Sequence, residues 1–117
     1  MSRIVKAINA MISNPDKITK VMKHGNAIYF EYGKKYKWSI FRDDNDDYIM
    51  CYYPGSGSLE SLIAPPMILS HENVVYSSKD IGTREAYASF RELYTMLNEI
   101  LYGVNDALDD IIGEDEL

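Results

Sequence analysis

The sequence predicts a single α+β domain: an antiparallel sheet of about three to five strands, made of a three-stranded meander and a small hairpin, with N-terminal helices and a long C-terminal helix packed on it. Three observations carry that expectation. From Thr83 to Ile112 the apolar residues recur in helical rows. Phe90, Leu97, Val104 and Ile111 form one, Ala86, Leu93, Ile100 and Ala107 the next, and Tyr87, Tyr94, Leu101 and Leu108 a third, opposite an acidic row of Glu85, Glu92, Glu99 and Asp106. From Ala27 to Tyr53 the period is two, as in half-buried strands. Between these regions Pro54 to Ser58 and Pro65-Pro66 break any regular pattern.

Taken in order, Ser2 caps a first helix from Arg3 to about Ser13, with Ile4, Val5, Ile8, Met11 and Ile12 on one side. Asn14, Pro15 and Asp16 restart a short second helix that ends near His24. Gly25 closes it, Ile18, Val21 and Met22 face inward, and Lys17, Lys20 and Lys23 form a basic row outside. The first two strands of the meander come next. A two-residue turn at Gly33 and Lys34 suits a hairpin chemically, but a three-residue loop keeps the apolar set on one face. It pairs Tyr32 with Tyr36, Phe30 with Trp38 and Ile28 with Ile40, and burial decides for it.

The third strand is Tyr48 to Tyr53, expected to bury Ile49 and Cys51 and to leave Tyr48, Met50 and Tyr52 on the other face. A helical turn at Leu59 to Ile63, then Met67 to Leu69 and Val74 to Tyr76 as a small hairpin, precede the long helix, which the glycine at 103 frays or bends. Residues 113–117 are expected to be a disordered acidic tail.

The 117 residues suffice for a hydrophobic core without metal or disulfide staples, and the one cysteine fits a reducing compartment. With no signal-like or membrane-length apolar run, a cytoplasmic location is expected. The net charge of −6 is unevenly placed: residues 1 to 37 carry eight bases against two acids, and the remainder four bases against sixteen acids. Two surfaces of opposite sign are implied.

Motifs for catalysis or cofactors are weak. Asp43, Asn45 and Asp47 have the opening spacing of a calcium loop, but Tyr48 stands where the turn needs glycine and Pro54 where a bidentate glutamate is needed. His24 and His71 have no companion ligand on their own elements, Cys51 sits in an apolar strand, and Gly55 to Gly57 is too little for a phosphate cradle. No cofactor and no enzymatic activity are expected.

The element order, the small size and the pI of about 4.8 resemble those of type III secretion chaperones, a likeness of layout rather than of motif that implies a dimeric α+β protein. The residues themselves favour a small acidic, non-catalytic protein-binding module, an inhibitor or immunity-type protein that occludes a basic partner. Its expected contact residues are the sheet side chains Tyr29, Phe41, Tyr48, Met50 and Tyr52 and the acids Glu92, Glu99, Asp106, Asp109 and Asp110. The alternatives are a homodimeric chaperone-like scaffold and a nucleic-acid binder using the basic N-terminal third, which the overall acidity disfavours. No membrane partner is expected.

Overall fold

The computed structural model describes residues 2–63 and 72–116. The elements are α1 (Arg3–Ser13), a single 3-10 turn (Pro15–Lys17), β1 (Ile18–His24), β2 (Ala27–Tyr32), β3 (Tyr36–Arg42), β4 (Tyr48–Tyr53), α2 (Leu59–Ile63), β5 (Val74–Ser77), α3 (Ser78–Ile81), α4 (Arg84–Tyr102) and α5 (Val104–Glu116). The five strands form one antiparallel sheet in sequence order. α1 and α4 pack together over one side of it, and their inward residues Val5, Ile8, Phe90, Leu93 and Leu97 close a core with Ile28, Phe30, Ile40 and Met50.

Both principal helices begin as their caps dictate. The Ser2 hydroxyl accepts from the Val5 amide at 3.3 Å, and the Thr83 hydroxyl accepts from the Ala86 amide at 3.0 Å. The β2–β3 register is that of the three-residue loop, with Tyr32 opposite Tyr36, Phe30 opposite Trp38 and Ile28 opposite Ile40. Within that loop Lys34 holds φ +59°, a left-handed conformation that crowds a Cβ against the carbonyl. Lys34→Gly is therefore expected to raise stability by about 0.5–1 kcal/mol, read as a melting temperature higher by a few degrees.

The expected second helix is one 3-10 turn followed by a strand. β1 pairs with β2, and a bulge separates Thr19, which faces Glu31, from Met22, which faces Tyr29. The extra residue includes Lys20 at φ +54° and puts Ile18 and Val21, three apart, on the same side of the sheet. A bulged strand thus reproduces the i, i+3 spacing of a helix. Gly25, at φ +63°, serves the β1–β2 turn with the same left-handed backbone that a helix end would need.

The faces of β4 are also the reverse of those expected. Tyr48 opposes Arg42 and Met50 opposes Ile40, which turns Tyr48 (4% exposed) and Met50 (0%) toward α4. Ile49, Cys51 and Tyr53 point to the far side, where α2 lies with Leu59 and Leu62 buried. A strand covered on both sides is apolar throughout, so alternation cannot assign its faces. β5 pairs with β4 through Val74 to Ser77; the companion strand expected at Met67 to Leu69 lies outside the described residues.

The long C-terminal helix is two segments. Gly103 takes φ +66° and ends α4, its amide reaching back to the Glu99 and Ile100 carbonyls. Up to Leu97 the first two rows of the expected apolar stripe are buried and Tyr87 and Tyr94 of the third are half-buried; Ile100 is already 37% exposed, and in α5 every residue from Val104 to Ile112 is exposed. α5 runs to Glu116, through the stretch whose composition reads as a disordered tail. The radius of gyration is 15.4 Å, against about 13 Å for a compact chain of this length, as a projecting helix requires.

Candidate protein-binding surfaces

The five sheet residues expected to form one patch are divided between two sides. Tyr48, Met50 and Tyr52 lie on the helix side. The Tyr48 ring packs against Tyr87 and Tyr94, each with centroids 5.4 Å away, and Tyr52 lies 4.8 Å from Trp38. Tyr29 and Phe41 lie half-buried on the far side, Tyr29 stacked 6.0 Å from Tyr53. The β4 register is the reason for the correction: reversing one strand removes its three residues from the shared patch. Tyr53 exchanges a 2.9 Å hydrogen bond with Ser39, and burial pushes its phenol pKa up. Cys51 is buried beside it, and burial raises its thiol pKa, the direction opposite to what a nucleophilic thiolate needs.

Three carboxylates of the Asp43 to Asp47 loop, those of Asp43, Asp46 and Asp47, are each committed to a different task. Asp43 Oδ1 accepts from the Asn45 and Asp47 amides and shapes the turn. Asp46 accepts from Arg42 at 2.6 Å and from the Tyr87 hydroxyl at 2.8 Å, tying the loop to the start of α4; these two hydrogen bonds and the Arg42 charge hold its pKa below the usual carboxylate range, the Tyr87 bond contributing most. Asp47 is turned inward to Ser77, Ser78 and the Lys79 amide. Among the described residues no group of three His, Cys, Asp or Glu side chains is placed to hold a metal ion. His71 lies outside the described residues.

The basic third is similarly dispersed. Lys20 lies 3.8 Å from Glu31 and 3.5 Å from Glu60, Lys23 donates to the Tyr102 hydroxyl, and Lys37 is buried on the far side, donating to the Gly55 carbonyl. No described helix is long and apolar enough to cross a membrane.

Of the expected acidic residues, Glu92 is exposed and Glu99 half-exposed along the outer face of α4. They border a groove of about 530 Å³ between α4 and α1, which also takes in Ile12, Tyr87, Arg91 and Met96. Apolar side chains beside two carboxylates and the Arg91 guanidinium, open to solvent, can receive a partner's aliphatic or basic side chains. Family models, curated proteins and solved structures offer no match to this chain.

Asp106, Asp109 and Asp110 are exposed on α5. At 3.6 residues per turn they fall on the side opposite Val104, Leu108 and Ile111. That second set, an aliphatic row in water, was not foreseeable from periodicity, which shows that a helix is amphipathic but not whether anything covers it. The one available signal was the glycine at 103, which can detach the helical segment beyond it.

A second feature is a trough on the helix side of the sheet beside the C-terminal half of α1. It has a volume of about 280 Å³ and is lined by Ala7, Ala10, Met11, Tyr32, Tyr36 and Trp38. The Trp38 indole N–H is buried and meets no acceptor among the described residues. Lys35 reaches over the Tyr36 ring, its Nζ 5.2 Å from the centroid.

Proposed function

We propose that this chain is a small, non-catalytic protein-binding module, of inhibitor or immunity type, that works by occluding a basic partner. The observation that carries the reading is the α1–α4 groove, where Ile12, Tyr87 and Met96 offer apolar contact directly beside Glu92 and Glu99. Interfaces are built this way, with apolar and aromatic anchors at the centre and charges at the rim. The anchoring role given to Tyr48 and Met50 on sequence grounds passes to these groove residues, because those two are in the core. The outward acids of α5, Asp106, Asp109 and Asp110, extend the anionic surface and steer a positive one toward it.

A photo-crosslinking residue at the exposed groove position Thr95 is the direct test. The captured partner is expected to present a basic surface, and Glu92→Gln with Glu99→Gln to weaken its binding about tenfold, chiefly through slower association that high salt imitates. A partner of neutral or acidic surface, or an affinity indifferent to both substitutions and to salt, would refute the reading.

A further inference from the structure

Among the described residues α5 packs chiefly on the end of α4, and its composition alone does not sustain a helix. It has 13 residues, six of them acidic and none basic, and it has a glycine at 113. Isolated helices of that length are marginal in water even when rich in alanine, and most helices owe their stability to tertiary packing. Leu108, Ile111 and Ile112 are 49%, 63% and 55% exposed. With Val104 at 39% they form an aliphatic row that is exposed to solvent among the described residues.

The same chain carries a receptor of the opposite character. The trough beside α1 is apolar and bounded by bases: Arg3 and Lys6 precede Ala7 and Ala10 on α1, and Lys34 and Lys35 form the β2–β3 loop on its other side. We propose that α5 of one molecule docks in this trough on a second copy, apolar row first, and that the exchange is reciprocal.

Charge complementarity selects this arrangement over the simpler pairing of α5 with its twin. Two copies of α5 side by side would bring twelve carboxylates together without a base between them. Docking in the trough brings Glu114 and Asp115 of each helix to the basic rim of the other molecule. Helical geometry places Asp115 within the apolar row. There it meets the Lys35 ammonium, which lies over the Tyr36 ring at the trough rim, as its ion-pair partner. Each molecule has one helix and one trough, and a reciprocal two-fold exchange uses both at two copies and leaves neither free to extend a chain. The α1–α4 groove and the outward acids Asp106, Asp109 and Asp110 are not consumed, and the proposal therefore stands apart from the binding of a basic partner.

The chain has a single tryptophan, and it lines the trough. Sedimentation equilibrium from low to several hundred micromolar is expected to show a monomer–dimer equilibrium, with Trp38 emission shifting to the blue as the dimer fills. Leu108→Asp and Ala10→Phe alter residues that are exposed in the monomer and should leave it folded. Each alone is expected to weaken association about tenfold or more. Mixed together they should recover part of it, because the intact trough of the first accepts the intact helix of the second. A wild type that stays monomeric with constant emission overturns the proposal. So does an Ala10→Phe variant that dimerises as the wild type does, which would point to pairing between α5 helices, and so does a mixture with no recovery.

Discussion

Replacing Phe90 with alanine is expected to cost about 3–5 kcal/mol, lowering the melting temperature by roughly 10–20 °C in a chain of this size. Phe90 has no exposed surface and sits in the single cluster where α1, α4 and the sheet meet, so the substitution loses the transfer energy of the ring and leaves a void that three elements cannot close together. Total stabilities of small domains are about 5–15 kcal/mol, so this one change removes a large share. Glu92→Ala, two residues along the same helix but exposed, is the control and should shift stability by no more than about 0.5 kcal/mol. Equal effects of the two in chemical denaturation would mean that α4 does not close the core.

The second large effect is expected at Asp47, which is 7% exposed. Its carboxylate accepts from the Ser77 and Ser78 hydroxyls, the latter at 2.6 Å, and from the Lys79 amide at 3.0 Å; Ser78 in turn accepts from the Tyr48 amide at 3.1 Å. One side chain thus fastens the β3–β4 loop to the end of β5 and the start of α3. Asp47→Ala leaves these donors without their acceptor in a site that excludes water, at a cost of roughly 2–4 kcal/mol. Burial alone would push the Asp47 pKa up, but the two hydroxyls, the amide and the Lys79 charge outweigh it and hold the pKa below the ordinary aspartate value of 3.8. A carboxyl more acidic in the folded than in the unfolded chain stabilises the fold fully above the unfolded value. That contribution is lost as the pH falls through the folded one. The stability gap between wild type and Asp47→Asn should accordingly be constant near neutrality and narrow below about pH 4. A gap independent of pH down to acid unfolding would show that the charge is not what the hydroxyls hold.

The parts of the fold legible in the sequence are those where local chemistry and burial agree. Ser2 caps α1 from Arg3, the β2–β3 register comes from keeping Phe30 and Trp38 on one face, and the limits of β4 are set by its flanking turn residues. Illegibility has specific causes. The bulge at Lys20 converts a two-residue period into a three-residue one, and Gly25 suits either interpretation. β4 is apolar on both sides of a sheet whose far face also receives α2, packed on β2, a tertiary fact with no local trace. Among the candidate contacts, Glu92 and Glu99 were readable as a periodic row. The groove they border needs α1 beside α4, and the exposed row of α5 needs knowledge of where the core stops.

The irregularity in β1 also governs what the sheet can do in company. Among the described residues nothing pairs with its outer edge, and an unpaired edge is the usual template on which sheets polymerise between molecules. The left-handed kink at Lys20 breaks the straight run of donors and acceptors that an incoming strand would have to match, and the lysines at 17, 20 and 23 would each require desolvation on the way in. Growth by strand addition is therefore blocked at this margin, and concentrated solutions should resist fibril formation there, leaving side-chain surfaces as the route by which the molecule meets others.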